Sequence, residues 1–240
     1  MATSRTQEPA WLLHSTPYRE TSLIVDLFTR EHGRIAAVAK GAKRPRSALR
    51  AVLLQFQPLL VAYAGQRELR TLTGVEWTGG LAAPQGDALL CAFYLNELLM
   101  RLLPREDPHP PLFDAYAEAL ARLADGDALG ETLRRFEWQL LREIGYAPDL
   151  ERDAAGRPIE AERRYRWSPA DGFVAQEGSG EGRSSETAVS GATLGELAQG
   201  RFASAGGRQQ AKYLTRAILS HHLDGAPLHT RQILIDLQKL

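Results

Sequence analysis

Over the first eighty residues the apolar positions fall in short runs rich in Val, Ile, Leu, Phe and Thr, separated by turn residues, which is a strand pattern. It predicts strands over Ala10 to His14, Ser22 to Arg30, Arg34 to Lys40, Leu53 to Ala64 and Glu68 to Trp77. Glu31-His32-Gly33 and Ala64-Gly65-Gln66 are short enough to close hairpins. Pro58 interrupts the fourth run, so that strand is expected to bend there or to lie at an edge. Five short strands, with a longer connection between the third and the fourth, predict an OB-type barrel, with an SH3-like barrel as the competing topology.

After Gly79-Gly80 the spacing of apolar residues changes to the helical period. Asp87 to Leu103 is predicted as a helix stopped by Pro104, and Pro111 to Ala124 and Leu129 to Ile144 each carry one apolar stripe, the last ended by Gly145. Two more helices are expected at Arg208 to Leu223 and Thr230 to Leu237, and Thr193-Leu-Gly-Glu196 has the spacing of a capping box that opens a short helix. Short connections between striped helices predict a helical bundle. The stretch 147–191 differs: it is rich in Arg, Glu, Gly and Ser, and Gly178 to Ser185 reads as a flexible loop. Within it Tyr165-Arg-Trp167 and Phe173-Val174 flank the turn signal Ser168-Pro-Ala-Asp-Gly172, which predicts a small inserted β-hairpin. The expected class is therefore α+β and multidomain: an OB-fold at 1–80, then a helical domain at 81–240 carrying the insert.

Charge sharpens this division. The formal net charge of the 240 residues is zero, but residues 1 to 80 hold eleven Lys/Arg against six Asp/Glu, a balance of +5, and the remaining 18 basic and 23 acidic residues give −5. Between Gly33 and Arg50 no acid interrupts the run that contains Arg34, Lys40, Lys43, Arg44, Arg46 and Arg50. Cations on a strand and the loop after it neutralise successive phosphates and release condensed counterions, so this run predicts a nucleic-acid surface. With Arg19 added, the candidate DNA-binding residues are Arg19, Arg34, Lys40, Lys43, Arg44 and Arg46. Of the barrel-region aromatics Tyr18, Phe28, Phe56, Tyr63 and Trp77, most are expected to fill the core, and Tyr18 is the one expected at the surface to stack on bases.

Catalytic chemistry finds little support. The phosphate-loop, nucleophile-elbow, zinc-protease and paired-cysteine motifs are absent, and Gly41-Ala-Lys-Arg-Pro-Arg-Ser47 departs from a phosphate loop by lacking its second glycine and by carrying Pro45. Cys91 is the only cysteine, which excludes an internal disulfide and a cysteine-based zinc site and favours a reducing cytoplasm. His221 and His222 point about 100° apart on a helix and do not share a metal by themselves. No metal and no cofactor are expected. Glu97 and Glu137 lie among apolar helix positions and are candidates for a buried carboxylate pair, although pairing with arginines such as Arg101, Arg134 or Arg135 is the commoner arrangement. No stretch approaches ~18 uninterrupted apolar residues, so no membrane partner is expected.

An ordered set of local patterns resembles the bacterial recombination-repair mediators of the RecO family: Tyr18-Arg-Glu-Thr-Ser22, Thr29-Arg-Glu-His-Gly33, Ala39-Lys-Gly-Ala-Lys-Arg44, Asn96-Glu-Leu-Leu99, Leu133-Arg-Arg-Phe-Glu137 and Leu141-Arg-Glu-Ile-Gly-Tyr146. The resemblance implies an amino-terminal OB-fold, a helical domain and a small inserted module. It implies a protein that is not an enzyme, binds single- and double-stranded DNA, anneals strands coated by single-stranded DNA-binding protein (SSB), and with RecR helps to load RecA, with RecF reached indirectly. It also implies a cytoplasmic, nucleoid-associated protein that recognises the acidic, apolar-ended tail of SSB, for which Arg134 or Arg135 with Phe136 and Leu140 are the expected groove residues. Many family members carry a four-cysteine zinc module, whose first pair falls near Asp153 and Gly156; no cysteine stands there in this chain. The alternative function is a protein-protein adaptor with incidental DNA contact.

Overall fold

The computed structural model describes residues 7–66, 68–176, 188–201 and 204–237, with side chains described only as far as 233 in the last helix. The loop expected at Gly178 to Ser185 lies outside the described residues. Strands β1 (Gln7–Tyr18), β2 (Ser22–Thr29), β3 (Gly33–Ala39), β4 (Pro58–Ala64) and β5 (Leu69–Trp77) close a barrel in the order β1-β2-β3-β5-β4. All neighbours are antiparallel except β3 and β5, which run parallel with Ala36 opposite Leu69 and Val38 opposite Thr71. This is the OB arrangement. Its interior is filled by Leu12, Val25, Leu27, Ile35, Leu59, Val61 and Leu72 with small alanines.

The fourth predicted run is resolved differently from its expectation. Helix α1 (Ala48–Val52) precedes it, and β4 begins at Pro58, where a missing N–H costs the ladder nothing. Leu49, Val52 and Leu53 pack against the barrel core, so α1 covers the mouth between the end of β3 and the start of β4. A bulge in β1 between Leu12 and His14 turns the Leu13 carbonyl out of the ladder, where it accepts from Gln55 Nε2 (2.6 Å) and Asn96 Nδ2 (2.9 Å). Gly33 closes the β2-β3 hairpin at φ +64°, and a side chain there would collide with the Asp107 backbone.

The described residues form two compact units. The first joins the barrel to α2 (Asp87–Leu102), α3 (Pro110–Ala124) and α7 (His229–Leu237), the chain returning to it at Leu228. Trp11 and Phe28 on the barrel wall meet Phe113 and Tyr116 of α3 with ring centroids 5.4 to 6.3 Å apart, and Tyr116 donates its hydroxyl proton to Asn96. The second unit, Ala128–Pro227, holds α4 (Leu129–Glu143), strands β6 (Arg164–Ser168), β7 (Gly172–Ala175) and β8 (Ala188–Ser190), α5 (Gly191–Ala198) and α6 (Ala205–His222). The predicted hairpin is β6-β7, with Ser168 opposite Gly172, and β8 adds a third strand on the far side of β6. The cap of α5 is Ser190, whose hydroxyl accepts from the Thr193 amide (3.2 Å); Thr193 is inside the helix rather than at its start.

Candidate nucleic-acid interface

The cationic run is built on a short scaffold. Gly41, at φ +71°, lets the chain leave β3, and Ala42 is buried in the barrel core as an anchor. The Lys43 amide then donates to the Thr21 carbonyl (2.8 Å) at the tip of the β1-β2 hairpin, and the Gly41 amide to the Ser22 hydroxyl (3.4 Å). Two further turns follow, Arg44 N to Gly41 O and Ser47 N to Arg44 O, each 3.0 Å. These bonds fix the loop against the hairpin that carries Arg19. Arg19, Lys40, Lys43, Arg44 and Arg46 are therefore gathered at one end of the barrel, all exposed, and Arg50 on α1 is exposed beside them in the chain. Among the described residues none of the five is paired with a carboxylate. Arg19 also lies over the Tyr18 ring, 5.1 Å from its centroid.

Arg34 does not join them. It enters β3 opposite Phe28, six residues before Lys40, roughly 20 Å away along the strand. Its side chain is only 12% exposed; Nε donates to the Leu103 carbonyl (3.0 Å) and the guanidinium stands 3.7 Å from Asp26, which also holds Arg105 at 2.9 Å. Burial first, and then the Arg105 charge, lower its pKa from the ordinary guanidinium value. Arg34 ties the barrel to the end of α2 and has no face left for a phosphate.

The aromatics also sort differently from expectation. Phe28 and Phe56 are buried. Tyr63 donates its hydroxyl proton to the buried Glu8 carboxylate, with Arg70 4.8 Å over its ring, and burial together with that bond raises the phenol pKa. Tyr18 is half-buried. The open ring is Trp77, 58% exposed at the end of β5. Because β5 runs parallel to β3, Trp77 lies at the same end of the barrel as the cationic loop. Its position at a strand end was the available signal.

In the second unit, Phe136 and Leu140 are sealed in the core, so neither lines an open groove. Arg134 is tied to Glu137, itself 1% exposed, and Arg135 to Glu131 at 2.7 Å. Of the two, Arg135 is the more exposed, its side chain 36% open against 12% for Arg134. The carboxylates considered for catalysis are similarly engaged: Glu137 by Arg134, and Glu97 by the His229 and Thr230 amides and the Thr230 hydroxyl at 2.7 to 2.9 Å.

The amino-terminal part, residues 1–81, matches the family described as Recombination protein O N terminal, and residues 83–232 match Recombination protein O C terminal. The chain belongs to the RecO family. It is similar to the DNA repair protein RecO of Burkholderia lata, at 52% identity over all of this chain and 87% of that protein. It is 50% identical to the DNA repair protein RecO of Ralstonia nicotianae over 98% of this chain and 85% of the relative. For the protein of the same name from Azoarcus sp. the figures are 46%, 98% and 97%. At Asp153 and Gly156, where the resemblance implies the first pair of metal ligands, the residues present do not fit a zinc ion. Asp153 spends both carboxylate oxygens on the Ala155 and Arg157 amides and on Arg157 Nε, all at 2.9 Å, and among the described residues no three His, Cys, Asp or Glu side chains converge on a common point.

Proposed function

We propose that this RecO-family chain binds single- and double-stranded DNA through the cationic end of its barrel, and that it anneals complementary strands coated by SSB and, with RecR, promotes RecA loading. The relatives support a role in DNA repair. The observation that carries the DNA-binding part is the cluster of Arg19, Lys40, Lys43, Arg44 and Arg46, all exposed, gathered by backbone bonds, and without a carboxylate partner among the described residues. Such a cluster serves phosphate neutralisation, which needs neither ATP nor a broken bond. For the SSB tail the proposal narrows to Arg135, since a guanidinium at a rim meets carboxylates only if it faces solvent. RecF enters only through these partners. No described helix is long and apolar enough to cross a membrane.

The test is a salt titration on labelled single strands with the Lys43→Ala/Arg44→Ala/Arg46→Ala protein. Loss of three phosphate contacts lowers the magnitude of the log-log salt slope by roughly two for single strands, with an unchanged thermal midpoint. A folded triple variant with wild-type affinity and slope would leave the adaptor reading in its place.

A further inference from the structure

Trp77 is held as well as exposed. Its indole Nε1 donates to Gln57 Oε1 (3.1 Å), Gln57 is itself buried, and Gln57 Nε2 donates in turn to the Leu81 carbonyl (3.1 Å). The next residue clamps the strand: the Thr78 amide and hydroxyl both donate to the Pro58 carbonyl at 3.1 Å. The ring is thus held by its Nε1 edge while most of the residue stays open to water. Its direction follows from the ladder. Trp77 stands opposite Leu59 and two residues after Val75, which stands opposite Val61; Leu59 and Val61 are interior residues and Val75 packs against them. Directly opposed residues share a face of the sheet, so Trp77 has interior parity at a level where the barrel has ended. It stands at the end of β5, bonded to Gln57, the last residue of the β3-β4 connection whose earlier part carries the cations.

Resting on the reading of the barrel as a DNA-binding surface, we propose that Trp77 is the base-stacking platform of that surface and makes it discriminate unpaired nucleotides from duplex. Phosphate contacts occur on single strands and duplex alike. A fixed aromatic face adds a contact that only an unstacked base accepts, since in duplex each base is covered on both sides. A protein partner would also value an exposed tryptophan, but the cations of that connection, unpaired among the described residues, favour a polyanion over an ordinary protein surface.

The experiment compares wild type, Trp77→Ala and Trp77→Phe on a single-stranded oligonucleotide and on the corresponding duplex, each across a salt series. Loss of one stacked base weakens single-strand binding on the order of tenfold. Duplex affinity and both salt slopes stay at wild-type values, because no ionic contact is removed, and Trp77→Phe recovers most of the loss. An equal loss on both substrates, or wild-type single-strand affinity in a folded Trp77→Ala protein, overturns the proposal; weakened capture of RecR with intact single-strand binding does so too, assigning the ring to a protein. The Lys43/Arg44/Arg46 triple variant separates the two levels. If it loses DNA while Trp77→Ala does not, only the stacking assignment falls; if neither loses DNA, the barrel reading falls as well.

Discussion

Asp153 shows what one buried carboxylate does for the turn that carries it. Burial opposes its charge, but the Arg157 amide and guanidinium and the Ala155 amide more than offset this and hold its pKa below the usual carboxylate range. A depressed folded-state pKa stabilises above the unfolded value of about 4 and is lost as pH falls through the depressed value. Asp153→Asn is therefore expected to melt below wild type at neutral pH, with the gap closing in acid; thermal melts from pH 7 to 2.5 check this. The adjacent arginines of α4 are expected to separate just as clearly. Arg134→Ala strips the buried Glu137 of its cation and costs about 3 kcal/mol, seen in urea unfolding. Arg135→Ala leaves unfolding nearly unchanged and weakens binding of a labelled SSB tail peptide. Equal tail binding by wild type and Arg135→Ala would remove the tail from this helix.

Elements were legible where periodicity ran long enough to repeat. The five strands and the long helices announce themselves through spacing, whereas α1, five residues without a stripe, and β8, three residues paired only through β6, do not. Of the site, the cations of the loop could be read because a loop without acids has nothing local to pair with. Arg34 could not, since what claims it is the Leu103 carbonyl some seventy residues later in the chain. Tyr18 and Trp77 exchange roles for a similar reason: exposure at a barrel mouth depends on where each strand ends, which composition does not encode. The Glu97 carboxylate, ambiguous in the sequence, caps the amino terminus of α7 from the neighbouring α2. Desolvation works against its charge, and the bonds from Thr230 and His229 outweigh it, so the pKa is lowered and the cap weakens as pH falls through that value. Glu97→Ala removes about 1 kcal/mol of capping and should speed hydrogen exchange in α7 roughly fivefold while the barrel amides keep their rates. Uniform acceleration across the first unit would show that α7 does not open on its own.

At the scale of the whole molecule, charge and connectivity divide the work differently. The +5 of the first eighty residues and the −5 of the rest cancel in the total, so only their separation along the chain shows the cationic stretch on which the proposed DNA-binding surface rests. Connectivity interrupts the first unit: it is left at Asp127 and resumed at Leu228, after all of the second unit. The break has a consequence for biosynthesis. On a ribosome, the barrel, α2 and α3 emerge first, and Glu97 then waits while about a hundred residues are translated before the amides of His229 and Thr230 arrive to meet it. During that interval its carboxylate has Arg101, 3.6 Å away on the same helix, as a local partner. The nascent chain can thus present a folded barrel before the helix that completes the same unit has been made.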